Sequence, residues 1–155
     1  MKKNITIVVL LLSLFLLVGC NKDNKKSESV IPHSYKELKE IAKKDENMSV
    51  FEIDTDDPDI QQSIVKNNNG GSYKYYTFKS DEDAKNFYDY YLTIYKSKKS
   101  DSDTENIKND VSYELVTTDK YYYIRVDKNA MVAVECKIED KDAIIDSLKT
   151  IKYYE

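Results

Sequence analysis

One histidine, His33, and two cysteines, Cys20 and Cys136, are the only side chains that could serve as a neutral-pH base or a thiol nucleophile. A Ser-His-acid or Cys-His arrangement would need His33 set against a nucleophile on the folded domain. Lying beside Pro32, ahead of the first periodic segment, His33 reads instead as a surface residue. A zinc site is poorly served by one His and, at most, two Cys. Glycine occurs only at Gly19, Gly70 and Gly71, which excludes the glycine-rich loops that cradle phosphates. Carboxylates abound, but no pair stands out as a two-carboxylate hydrolytic centre. The expectation is a non-enzyme without a cofactor.

Two acidic runs have a spacing that invites calcium: Asp54, Asp56, Asp57 and Asp59, then Asp101, Asp103 and Glu105. An EF-hand loop needs Gly at its sixth position and Glu at its twelfth. Counted from Asp54 these places hold Asp59 and Val65; from Asp101 they hold Asn106 and Ser112. Neither run is an EF-hand; Asp54 to Asp59 reads as a helix cap in a solvated loop, with an irregular weak calcium site as the alternative, and Asp101 to Glu105 lies in a polar loop. The fourteen tyrosines cluster at Tyr73-Tyr75-Tyr76, Tyr88-Tyr90-Tyr91 and Tyr121-Tyr122-Tyr123. On strands, alternation sends each cluster to both faces of a sheet. Tyr73, Tyr75, Tyr121 and Tyr123 are the candidate contact surface, because exposed Tyr offers apolar area, a hydroxyl and little entropy loss.

The chain opens with Lys2 and Lys3, then an apolar run of 14 residues from Ile5 to Val18, then Gly19-Cys20 and an abruptly polar Asn21-Lys22-Asp23. That run is shorter than the roughly 20 residues of a spanning helix. A charged start, a short apolar segment and a small-residue ending describe a secretory signal. Leu17-Val18-Gly19-Cys20 resembles the lipobox of bacterial lipoproteins. The resemblance implies that a signal peptidase recognises Leu17, Val18 and Gly19, that residues 1–19 are removed, and that Cys20 carries a diacylglyceryl thioether. Two acyl chains at ~0.8 kcal/mol per buried CH2 make a stable anchor. The implied location is the extracytoplasmic face of the cell membrane.

With Cys20 lipidated, Cys136 has no internal disulfide partner and reads as a small buried hydrophobe. Loss of Lys2 and Lys3 takes the formal net charge from −4 to −6, and Arg125 is the one arginine. Such a chain lacks the basic face that nucleic acid requires. Residues 20–33 form the lipidated Cys and a flexible tether averaging ~20 Å end to end. Residues 34–155 form one globular domain.

Within that domain Ser34 and Glu37 make a capping box for a helix that buries Tyr35, Leu38, Ile41 and Ala42. Met48 to Ile53 reads as a strand. Asp57-Pro58 reads as the start of a second helix burying Ile60, Ile64 and Val65, ended by Asn67 to Gly71. A strand over Ser72 to Phe78 leads to the clearest helix, capped by Ser80, with Asp81, Glu82 and Asp83 at its positive end. Ala84, Phe87, Tyr88, Tyr91, Leu92 and Tyr95 are its apolar stripe. Residues 96–110 read as a polar loop.

Three strands follow, over Val111 to Thr118, Tyr121 to Asp127 and Ala130 to Ile138. A turn at Asp119-Lys120 sets Tyr113, Leu115 and Thr117 opposite Val126, Ile124 and Tyr122, and Glu114 beside Arg125. A three-residue loop from Asp127 to a left-handed Asn129 keeps one apolar face by aligning Val126, Ile124 and Tyr122 with Ala130, Val132 and Val134. Asp140 caps a last helix burying Ile144, Ile145, Leu148 and Ile151. The fold class is α+β, an antiparallel sheet with a C-terminal three-strand meander and helices mainly on one face.

The Ala84-Lys85-Asn86-Phe87-Tyr88 helix and the C-terminal meander plus helix resemble a group of small Gram-positive lipoproteins, a resemblance that carries no activity with it. The expected function is a membrane-anchored, protein-binding or accessory module, partnered by the bilayer through Cys20 and by an envelope protein. Two alternatives stand beside it: a protective lipoprotein that inhibits a lytic enzyme or toxin, and a wall-modifying hydrolase using a carboxylate pair.

Overall fold

A computed structural model describes residues 31–155. The signal peptide expected over 1–19, its Leu17-Val18-Gly19-Cys20 ending and the tether as far as residue 30 lie outside the described residues. The elements are α1 (Tyr35–Ala42), β1 (Met48–Ile53), β2 (Ile60–Asn67), β3 (Ser72–Phe78), α2 (Asp81–Lys96), β4 (Thr104–Lys108), β5 (Ser112–Val116), β6 (Lys120–Asp127), β7 (Ala130–Lys137) and α3 (Lys141–Thr150), with a 3-10 turn, Ile138–Asp140, before α3.

The seven strands form one sheet in the order β1-β2-β3-β7-β6-β5-β4. All its pairs are antiparallel. The sheet is two meanders. β1 to β3 make the first, α2 carries the chain to the far edge, and β4 to β7 return until β7 pairs with β3 over Lys74–Thr77. The expected α+β class and C-terminal meander are present.

Alternation sorts the strand side chains into two cores. Val65, Tyr73, Tyr75, Tyr121, Tyr123, Val132 and Val134 pack with Leu38 and Ala42 of α1 and with Ile144 and Leu148 of α3. Tyr76, Phe78, Tyr113, Leu115, Tyr122, Ile124 and Met131 pack with Ala84, Tyr88 and Tyr95 of α2 on the opposite face. Two helices thus share one face, and the longest covers part of the other.

The caps follow from local chemistry. Ser34 Oγ accepts the Glu37 N–H at 3.2 Å, and the Glu37 carboxylate accepts the His33 N–H at 2.8 Å. Ser80 Oγ accepts the Asp83 N–H at 3.1 Å at the head of α2. Asp140 occupies the N-cap position of α3 but makes no side-chain cap bond; its side chain lies over the β2–β3 turn. There a Cβ on Gly70 would meet Asp140 Oδ1 at 2.6 Å, and one on Gly71 would meet Ile144 Cδ1 at 3.0 Å. Both glycines also have positive φ, +145° and +73°, so backbone and packing both require them.

Four sequence expectations are corrected. Ile60 to Asn67 is strand β2, not a helix, because its β-branched residues pair on both sides, with β1 and with β3. Thr104–Lys108 inside the expected polar loop is edge strand β4, whose polar side chains suit an exposed edge.

The β5–β6 turn is Thr118-Asp119, held by Thr117 N–H to Lys120 O at 2.9 Å. The register therefore slips by two and sets Glu114 opposite Tyr123. Arg125 instead reaches Glu155 at 3.1 Å. The β6–β7 loop has two residues, with Lys128 left-handed at φ +51°, and places Ile124 opposite Ala133 and Tyr122 opposite Glu135. A three-residue loop was expected in order to keep one apolar face. With helices on both sides, β6 buries consecutive residues from Tyr121 to Ile124, and that constraint disappears.

Candidate functional site

The four tyrosines expected as a contact surface are buried. Tyr73, Tyr75, Tyr121 and Tyr123 are at most 5% exposed, in the core beneath α1 and α3. Tyr73 Oη lies 3.1 Å from Ser147 Oγ, Tyr75 Oη donates to Pro32 O at 2.8 Å, and Tyr123 Oη donates to Tyr153 O at 2.5 Å. Desolvation raises the pKa of all four hydroxyls far above the ordinary tyrosine value. The contact-surface reading is corrected: two helices and the chain end, Tyr153 above all, cover this face. Pro32 is itself buried, and both Tyr75 and Tyr153 donate to its carbonyl. The end of the expected tether is thereby tied to the domain.

The exposed aromatic area lies on the other face. α2 runs over β3, β7, β6 and β5 and leaves β1 and β2 uncovered. Ile64 of β2 pairs in register with Phe51 of β1 on one side and Lys74 of β3 on the other, so all three point to the α2 side. Phe51 is 53% exposed and Tyr90, on the flank of α2, is 61% exposed.

Between helix and open strands runs a groove in two parts that meet at Tyr90. One recess of about 370 Å³ is lined by Ile64, Lys74, Tyr90, Tyr91, Ile94 and Glu135 among others. The second, about 340 Å³, is lined by Asp57, Asp59, Ile60, Phe78, Phe87 and Tyr90 among others. The aromatic wall is braced from behind. Tyr76 and Tyr91 share a 2.8 Å hydroxyl hydrogen bond, and Phe87 packs against Tyr76, Tyr90 and Tyr91 with ring centroids 5.0 to 6.2 Å apart. A braced aromatic edge on an open groove can take an apolar anchor from a partner at small entropic cost.

The remaining reactive groups offer less. His33 is half-buried, and its Nε2 sits 2.5 Å from Asp127 Oδ2. Among the described residues no Ser, Thr or Cys side chain hydrogen-bonds to that ring, so a base–acid pair is present without a nucleophile. Cys136 is buried, and desolvation, helped by the Asp140 charge, pushes its thiol up to about 11. The thiolate is therefore scarce at neutral pH. Arg125, Glu114, Tyr154 and Glu155 line a recess of about 50 Å³, room for little more than water. Among the described residues no cluster of three His, Cys, Asp or Glu could hold a metal ion, and no helix is long and apolar enough to cross a membrane.

Phe51 and Tyr90 were not singled out from the sequence, although each carried a signal. Tyr90 lies off the stripe of α2, and Phe51 alternates with the inward Met48 and Val50. An aromatic residue on the polar side of an amphipathic element is the mark both share. No family model, no curated protein and no solved structure matches this chain.

Proposed function

We propose that this chain is a lipid-anchored extracytoplasmic module that binds a protein partner at the cell envelope through the groove between α2 and the open strands β1 and β2. The observation that carries the reading is the grouping of Ile60, Ile64, Tyr90 and Ile94 around one trough, with the exposed Phe51 paired beside Ile64 on the next strand. Single surface hydrophobes are ordinary, whereas a contiguous apolar patch on a monomer marks an interaction site. The Leu17-Val18-Gly19-Cys20 ending supports the anchor, and the partner fitting the groove is an envelope protein that presents an apolar side chain between Phe51 and Tyr90.

The test is photocrosslinking in intact cells with a photoreactive amino acid in place of Tyr90, with and without Cys20→Ala. The reading expects one protein adduct that requires Cys20 and vanishes in Phe51→Ser. No adduct, or one indifferent to Phe51→Ser, contradicts it. The identity of the captured protein separates the two binding roles: an integral membrane protein makes the chain an accessory subunit, and a lytic enzyme makes it a protective inhibitor.

A further inference from the structure

The two edges of the sheet differ. β4 exposes Thr104, Asn106, Ile107 and Lys108, and its half-buried Glu105 is ion-paired to Lys99. Such an edge is blunted against strand addition by its polar and charged side chains. β1 is Met-Ser-Val-Phe-Glu-Ile, with no Lys, no Pro and no bulge across its six register pairs to β2.

Backbone direction on β1 follows from two hydrogen bonds. Met48 N–H bonds Asp45 O at 3.0 Å, and Asn67 N–H turns to Gly71 O at 3.2 Å, so the Met48–Asn67 pair does not exchange ladder bonds. Strict alternation then gives Ser49, Phe51 and Ile53 to β2 and turns the N–H and C=O of Val50 and Glu52 toward the open edge. Among the described residues no other strand pairs with that edge.

Charge identifies what fits there. From Asp45 to Asp59 the chain carries seven carboxylates and no Lys or Arg. Among the described residues Lys79, 3.5 Å from Asp59, is the one cation paired into this stretch. A second copy of this chain would bring seven more carboxylates against the first seven, which disfavours self-pairing. A cationic strand is complementary in backbone and in charge. On an added antiparallel strand, side chains on the α2 face lie beside Phe51 and the groove, and those on the other face lie beside Glu52.

We propose that the partner docks as an extended basic segment, added antiparallel to β1 as an eighth strand, with apolar residues toward Phe51 and Lys or Arg toward Glu52. This rests on the protein-binding reading and names its mode, in which main-chain hydrogen bonds supply affinity and alternate side chains supply specificity.

The probe is the acetylated, amidated peptide Lys-Val-Lys-Val-Lys-Val-Lys, added to the full-length chain in detergent micelles, with amide exchange followed residue by residue. The Val50 and Glu52 amides should exchange roughly tenfold more slowly with peptide bound, and added salt should weaken binding. The lysine amides of the peptide face β1 and its valine amides face away, so N-methylation at the lysines should abolish binding and N-methylation at the valines should spare it. Val50→Pro removes the outward N–H while leaving the β2 ladder intact, and should also abolish binding. Equal binding of the two N-methylated peptides, or protection confined to α2, overturns the inference whether or not Val50→Pro folds. A Tyr90 adduct in cells alongside no peptide binding sinks strand addition and leaves the groove reading standing. Peptide binding without any cellular adduct does the reverse.

Discussion

The two faces of the sheet hold the same kinds of residue and are closed to different extents. Beneath α1 and α3 the tyrosines are sealed: the hydroxyls of Tyr73, Tyr75 and Tyr123 are spent on Ser147, Pro32 and Tyr153, and that of Tyr121 is buried without a partner among the described residues. On the α2 side one helix covers the centre of the sheet and stops short of β1 and β2, where Phe51 and Tyr90 meet solvent. Tyrosine is therefore structural wherever a helix lies above it, as at Tyr76, Tyr113 and Tyr122 under α2, and a candidate recognition residue at Tyr90 on the open flank. Residue type does not separate the roles; the number of helices above each face does.

Substitutions sharpen the contrast, the largest effect coming from the sealed face. Tyr121→Ala should cost about 3–5 kcal/mol in urea unfolding, since it empties a fully buried ring site. Gly71→Ala should cost about 1–3 kcal/mol, because its φ of +73° and the Ile144 and Asp140 contacts leave no room for a methyl group.

Alkaline pH should act through the same sealed cores. The Cys136 thiol titrates at about 11 in the fold against 9.0 in the open chain, so between those values the unfolded state holds fewer protons. Stability should be unaffected by this group below pH 9 and fall as pH rises toward 11, with the raised tyrosines extending the loss; thermal unfolding across that range checks the sign. Tyr90→Ser and Phe51→Ser, on the open side, should change stability by no more than ~0.5 kcal/mol. A loss of several kcal/mol at either would mean that the groove is part of the core and would break the contrast.

How much of this was legible in the sequence depended on whether one element or two determined the outcome. Ser34 and Ser80 cap their helices as their side chains dictate, and the stripe of α2 faces the sheet, because both are properties of a single segment. The β5–β6 and β6–β7 registers and strand β2 were misread because each depends on neighbours. Val65 packs under α1 and α3 while Ile64 faces the α2 side, an arrangement that a helical spacing of the same residues imitates. The assumption of one apolar face failed for β6 because α2 supplies a second core. The same omission made Tyr73, Tyr75, Tyr121 and Tyr123 look exposed and left Phe51 and Tyr90 unnoticed, since how much of the seven-stranded sheet α2 covers is a property of the assembled sheet.

The most direct test of the central claim, that the uncovered part of the α2 face is the partner surface, uses the double variant Phe51→Ser with Tyr90→Ser on the full-length chain in intact cells. Crosslinking with a general amine-reactive reagent would be compared with wild type, and urea unfolding would confirm that the variant folds. The account predicts that the variant keeps its stability and loses the protein captured by wild type. Undiminished capture by a folded variant would contradict it.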